Sequence, residues 1–221
     1  MPSEPVISVR GEAVLEVEPE VAVVFVTVMA RDKDRRRALD LLAERNRQVA
    51  TLIKGYGDAV EKLESEPVRV HPAFKDDKAR ERVTGYVARA GFQVTVSDFA
   101  VLGELVPRLA DEEMVALGGP SWRLRPDSRV YREARLTAAR DATQRAREYA
   151  EAFGGRVTGL VEAADTGLLG TQPEPRMLMR AAVAGGRAEM APPQFDFEPA
   201  KQTVHAQVEA RFTMTAPQFS E

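Results

Sequence analysis

The segment from Val21 to Ala30 is apolar at odd and even positions alike and is rich in β-branched residues. A β-strand points successive side chains to opposite faces, so a strand of this kind is covered on both faces. The segment therefore predicts a sheet at the centre of the fold, with other material on each side of it. The chain has 221 residues, of which 44% are hydrophobic, which is enough to build such a core within one large domain.

Two further segments alternate with a period of two. Val9 to Val17 places Gly11, Ala13 and Leu15 on one face and glutamates on the other, and Thr203 to Met214 separates apolar from polar residues in the same way. Both patterns predict strands with one solvent-exposed face. Further strands are expected at four places: Pro67 to Phe74, Val83 to Ser97, Trp122 to Arg125 and Arg156 to Ala164.

Helical periodicity appears in three segments. Asp34 to Tyr56 carries one apolar face, and Ser128 to Phe153 carries alanines at every fourth position from Ala134 to Ala150. Small side chains at that spacing predict a helix whose backbone lies close to the sheet. Asp98 to Leu109 predicts a shorter helix, although Gly103 and Pro107 interrupt its pattern.

The resulting order is β-β-α-β-β-(α)-β-α-β-loop-β. It predicts an α+β fold, in which one or more mixed, mostly antiparallel β-sheets carry helices packed on one face. We expect residues 1–221 to form a single domain. Within it, residues 166–199 are rich in proline and glycine and predict a flexible insertion. Met177, Leu178 and Met179 give this insertion adaptable apolar surface and are the candidate interaction residues.

Composition excludes several kinds of chemistry. The chain has no cysteine, which removes thiol catalysis, disulfides and thiolate metal sites. A formal net charge of −3 and an aromatic content of 6% argue against a nucleic-acid partner. No apolar run reaches the roughly 18–20 residues of a membrane-spanning helix. The first residues show no secretory signal, so we expect a soluble, cytoplasmic protein.

The residues that could support catalysis are sparse. The two histidines are His71, in a predicted edge strand beside Pro72, and His205, on the polar face of the last strand. Both are better explained as surface residues than as catalytic or metal-binding groups. The sequence lacks the metalloprotease, nucleophile-elbow and phosphate-loop patterns. The pairs Asp76–Asp77 and Glu112–Glu113 fit solvated turns. We therefore predict no catalytic residue, no metal site and no cofactor.

A set of short motifs resembles the SIMPL-domain family. Gly11-Glu12-Ala13 followed by Pro19-Glu20-Val21-Ala22 resembles the opening of these domains, and His71-Pro72 with Thr84-Gly85-Tyr86-Val87-Ala88 resembles their hairpin. The alanine-rich helix that ends at a glycine and the last strand also match, in the family's order. The chain departs from the pattern at Ala13, Glu20 and Phe74, where the family typically has glycine, aspartate and tyrosine.

The resemblance implies an α+β fold, frequent self-association, and periplasmic or envelope roles in bacterial members, some of them in oxidative-stress defence. It implies no enzymatic activity. The function expected is therefore that of a non-enzymatic, self-associating scaffold or interaction protein, with a possible stress role and a homo-oligomer or an unidentified protein as partner. The alternatives are a small-molecule or metal-binding protein and an unrecognised hydrolase.

Overall fold

The computed structural model describes residues 4–75, 82–168 and 197–217. In this part of the chain there are seven strands and three α-helices, in the order that the sequence predicts. Their bounds are β1 Val6–Val17, β2 Val21–Asp32, α1 Arg35–Lys54, β3 Val60–Lys75, β4 Arg82–Val96, α2 Leu102–Ala110, β5 Val115–Arg123, α3 Arg129–Ala152, β6 Val157–Asp165 and β7 Gln202–Met214. The α+β fold class is confirmed.

The described residues separate into two compact units. The terminal unit contains β1, α3, β6 and β7, and so joins the two ends of the chain. The inserted unit contains β2, α1, β3, β4, α2 and β5. Each unit has its own antiparallel sheet, with strand order β1-β7-β6 in the terminal unit and β3-β4-β2-β5 in the inserted unit.

In the terminal unit, α3 covers β1 and β7. Its N-cap Ser128 accepts a hydrogen bond from the backbone N–H of Val130 at 3.2 Å. The alanines of the predicted stripe are all buried: Ala134, Ala138, Ala142, Ala146 and Ala150. The stripe packs against the apolar face of the sheet, which includes Ile7, Val9 and Phe212. Small residues on the helix therefore bring it close to the strands, as the sequence predicts.

In the inserted unit, α1 and α2 lie on one face of the sheet. Asp34 caps α1 by accepting a hydrogen bond from the backbone N–H of Arg37 at 2.9 Å. The core joins the buried faces of α1, α2, β2 and β4, and Val24, Val26 and Val28 of β2 are almost completely buried within it. The second face of β2 is also shielded, since Val23 is buried and Phe25 and Met29 are half-buried.

The strands β3 and β4 extend beyond the rest of their sheet. The pairing of β2 with β4 ends at Asp32 opposite Tyr86. β3 and β4 stay paired past that point, to Lys75 opposite Arg82. The end of this hairpin is therefore a two-stranded ribbon. β3 is an edge strand, which confirms the prediction made from Pro72.

Candidate functional site

A groove in the terminal unit lies between α3 and β6. α3 packs mainly over β1 and β7, and among the described strands β6 forms an edge of the three-stranded sheet. None of the nine residues of β6 is buried. Leu160 and Val161 have exposed fractions of 60% and 55%, so the strand presents apolar side chains to solvent.

The groove has a volume of about 610 Å³. One wall is a stripe of the helix α3, formed by Thr143, Arg147 and Glu151. The other wall is the segment that leads into β6, from Gly155 to Gly159. Every lining residue is exposed or half-buried, so the groove is open along its length and does not enclose a cavity.

Two arginines give the groove positive charge. Neither Arg147 nor Arg156 forms an ion pair with a carboxylate in the described part of the chain. By contrast, Arg145 on the same helix lies 2.8 Å from the Asp141 carboxylate. The carboxylate that lines the groove is Glu151. In the wall from Gly155 to Gly159, the backbone N–H of Arg156 donates to the hydroxyl of Thr215 at 3.0 Å, which holds the backbone in place.

The end of the β3–β4 hairpin carries apolar side chains at its surface. Phe74 and Val83 are opposite each other in the register, with exposed fractions of 52% and 46%. The last hairpin residues that pack against the core are Val70 and Tyr86. In the described part of the ribbon beyond them, the apolar side chains of Phe74 and Val83 do not pack against the core. We call Phe74 and Val83 the hairpin tip.

A tyrosine, an arginine and a glutamate meet in the inserted unit, where α1 ends near α2. The Tyr56 hydroxyl donates to a Glu104 carboxylate oxygen at 3.2 Å, and the Arg108 guanidinium donates to the Tyr56 oxygen at 3.2 Å. The guanidinium also lies 5.7 Å from the centre of the tyrosine ring. Burial raises the pKa of Tyr56 above its usual value, while Arg108 acts in the opposite direction, because desolvation disfavours the phenolate and a nearby cation favours it.

Among the described residues, the histidines and acidic residues considered as catalytic candidates do not come together into a catalytic arrangement. His71 is exposed on β3, and His205 is exposed on β7, in different units. Glu113 pairs with Arg45 at 3.0 Å. Within the residues described, no group of three or more histidine or carboxylate side chains could hold a metal ion. Asp76 and Asp77, and the candidate interaction residues Met177, Leu178 and Met179, lie outside the described residues.

Sequence reasoning missed the groove. The one signal for it is that Thr143, Arg147 and Glu151 each follow an alanine of the buried stripe by one position. On a helix such residues lie at the border of the packed face. Which strand they border depends on the sheet order, and that order joins segments far apart in the sequence.

The described residues form an α+β fold with two antiparallel sheets. The chain belongs to the SIMPL family, described as a protein of unknown function (DUF541), which it matches over residues 7–212. In the described part of the chain, no helix is long and apolar enough to cross a membrane.

Two curated relatives are both named 26 kDa periplasmic immunogenic protein, one from Brucella melitensis biotype 1 and one from Brucella abortus strain S19. Each is 28% identical over 169 residues, which cover 71% of this chain and 66% of the relative. The chain thus spans just under two thirds of the length of these relatives. The cytoplasmic location expected from the sequence is wrong, because the relatives are named as periplasmic proteins.

Proposed function

We propose that this SIMPL protein is a non-enzymatic interaction protein that associates with itself, and that it acts in the periplasm. The observation that carries the proposal is the hairpin tip, where Phe74 and Val83 stand exposed on a two-stranded ribbon. The periplasmic part is supported by the names of the relatives. A role in stress defence has the family resemblance as its support.

Association with a partner would stabilise the ribbon. An isolated two-stranded ribbon is marginally stable in water, and burying its exposed apolar side chains lowers the free energy. Fully burying a side chain of the size of valine or phenylalanine contributes about 1.5–3 kcal/mol. Two copies of the hairpin tip placed against each other would bury four such side chains and so stabilise both ribbons.

A symmetric dimer is the simplest arrangement of that kind. In a two-fold interface the same patch of each copy meets its counterpart, so one apolar tip serves as both halves of the contact. The second face of β2 is a further apolar surface, but it is already shielded, with Val23 buried and Phe25 half-buried. The hairpin tip is therefore the stronger candidate.

The test is the solution mass, measured by light scattering after size exclusion. We expect a multiple of 24.3 kDa for the unmodified chain and a shift toward the monomer for a Phe74→Ser/Val83→Ser double variant. Leu136→Ser is the matched control, since Leu136 is an exposed apolar residue of α3 with an exposed fraction of 40%. A monomer at all concentrations would refute self-association. An oligomer unaffected by the double variant would refute the role of the tip.

A second variant examines the interaction residues that the sequence predicts. Replacing Met177 and Met179 by serine removes adaptable apolar surface from residues 166–199. If these residues contribute to the contact, the mass falls for this variant as well. If the mass falls for the hairpin variant alone, the contact lies at the tip and the sequence-based assignment is wrong.

A further inference from the structure

The groove between α3 and β6 belongs to a different unit from the hairpin tip and calls for a partner of different chemistry. We propose that it is a docking site for an extended acidic segment of another protein, whose carboxylates pair with Arg147 and Arg156. The inference is independent of self-association, because it uses neither the ribbon nor the inserted unit.

Charge complementarity indicates that the partner is negatively charged. Two guanidinium groups line the groove against the single carboxylate of Glu151, and neither guanidinium has an ion-pair partner in the described residues. The C-terminal end of α3 adds roughly half a unit of negative charge. The sum remains positive, so a ligand with two or more carboxylates is attracted and a basic ligand is repelled. Planar guanidinium groups also match the two oxygens of a carboxylate.

The shape of the groove selects a chain segment over a small molecule. Sites for small molecules bury most of the ligand's surface and are lined largely by apolar side chains. Here Arg147, Glu151 and Arg156 are exposed, and none of the lining residues is buried. A small anion would stay mostly in water. An extended segment could instead continue out of the groove along β6, where Leu160 and Val161 offer apolar contact.

The edge of β6 away from β7 suits the same occupant, because within the described residues β7 is its one hydrogen-bonded neighbour. An edge strand presents backbone N–H and C=O groups that a partner strand can pair with. The register of β6 with β7 shifts between Val157 and Gly159 and again between Leu160 and Glu162. Such shifts interrupt regular pairing, so recognition rests on the groove and its charges, and strand pairing only adds to it.

The experiment measures binding of a labelled, end-blocked hexapeptide of alternating glutamate and valine to the full chain. Fluorescence anisotropy at low salt reports the affinity. Matched peptides replace glutamate by glutamine or by lysine. We expect the glutamate peptide to bind, the other two to bind at least about tenfold more weakly, and added salt to weaken binding. An Arg147→Gln/Arg156→Gln variant should bind the glutamate peptide about tenfold more weakly, which lies within the roughly twofold to thirtyfold that two exposed ion pairs contribute.

The control variant is Arg140→Gln, which changes an exposed arginine of the same helix outside the groove. It should leave peptide affinity unchanged within about twofold, and the melting temperatures of both variants should match that of the parent. Amide exchange should slow in residues 143–151 and 155–165 when the glutamate peptide is present.

Four outcomes would overturn the proposal. Equal binding of the glutamine peptide would remove the role of charge, and an unaffected Arg147→Gln/Arg156→Gln variant would remove the groove. Glutarate or inorganic phosphate binding as tightly as the peptide would indicate a small-anion site. A single-stranded thymidine oligonucleotide that binds more tightly than the peptide would indicate a nucleic-acid site.

Discussion

Gly11 of β1 meets Ala142 of α3 with no space for a side chain between them. A Cβ atom built on Gly11 would lie 2.7 Å from the Cβ atom of Ala142 and 2.5 Å from its backbone nitrogen, and closer still to the carbonyl oxygen of Ala138. Two of these three atoms are backbone, which cannot rotate away. Gly11 is also one of the residues that carry the family resemblance, so this motif position has a packing role in this chain.

The first prediction concerns this contact. Gly11→Ala should force α3 away from β1 and lower the free energy of unfolding by about 3 kcal/mol, at the upper end of the usual cost of overpacking. Urea unfolding followed by circular dichroism measures it. Gly118→Ala is the control, because the nearest atom to an added Cβ there is 3.7 Å away, and its effect should stay within about 1 kcal/mol. Equal effects of the two substitutions would contradict the prediction.

The second prediction concerns the alanine stripe. Ala142 and Ala146 have exposed fractions of 1% and 0%, which confirms the burial predicted from their spacing. Replacing either by leucine should cost about 1–3 kcal/mol. Ala139→Leu, at an exposed position of the same helix, should change stability by less than about 0.5 kcal/mol. A melting temperature that stays the same for Ala142→Leu and Ala146→Leu would show that the helix can move off the sheet at little cost.

The third prediction concerns pH. Burial raises the folded-state pKa of Tyr56 above its ordinary 10.0, so the folded chain holds this proton where the unfolded chain has lost it. The contribution to stability is complete below pH 10 and is lost as pH rises through the folded-state pKa. Ultraviolet titration of the parent minus Tyr56→Phe should therefore have a midpoint above 10. A midpoint at or below 10 would contradict the burial of this hydroxyl.

Two variants test the causes of that shift. The Arg108 cation lowers the pKa of Tyr56 and the Glu104 carboxylate raises it. Arg108→Gln should therefore move the midpoint up, and Glu104→Gln should move it down. Shifts in the same direction for both would mean that a change of packing, and not charge, controls the titration.

The fourth prediction concerns cooperativity. The sequence suggests one domain, while the described residues form two compact units. Because β1 must pair with β7, the terminal unit is discontinuous in sequence, and we expect it to unfold together with the segment inserted in it. Scanning calorimetry should give a single transition with equal calorimetric and van't Hoff enthalpies. Two resolved transitions would show that the units are separate domains.

Most elements of the fold follow from the sequence, and the errors have physical reasons. The helices α1 and α3 and the strand β7 agree with the prediction within two residues at each end. β3 begins at Val60, seven residues before its predicted start, because its first part, Glu61 to Glu66, is an edge whose charged residues hide the alternation. β5 begins at Val115, although Gly118-Gly119-Pro120 is typical of a turn; a register shift opposite Val23 and Phe25 accommodates it.

The pairing of strands could not be predicted in the same way. β1 and β2 are separated by the short segment from Glu18 to Glu20, yet they belong to different sheets. Neighbouring strands in a sequence usually pair, and no local pattern signals the exception. Both candidate surfaces depend on it. The groove exists because β7 lies between β1 and β6, and the hairpin tip is exposed because β2 ends at Asp32.

The pairing of β1 with β7 also determines how long β1 stays unpaired during synthesis of the chain. Val17 pairs with Gln202, so the ribosome must add roughly 185 further residues before the partner of β1 exists. At about 5–20 residues per second, β1 waits roughly 10–40 s. Throughout that interval its backbone groups and its alternating apolar side chains are open to other nascent chains. A newly made molecule therefore keeps its first strand without its native partner until the last strand is made, and slow translation lengthens that interval.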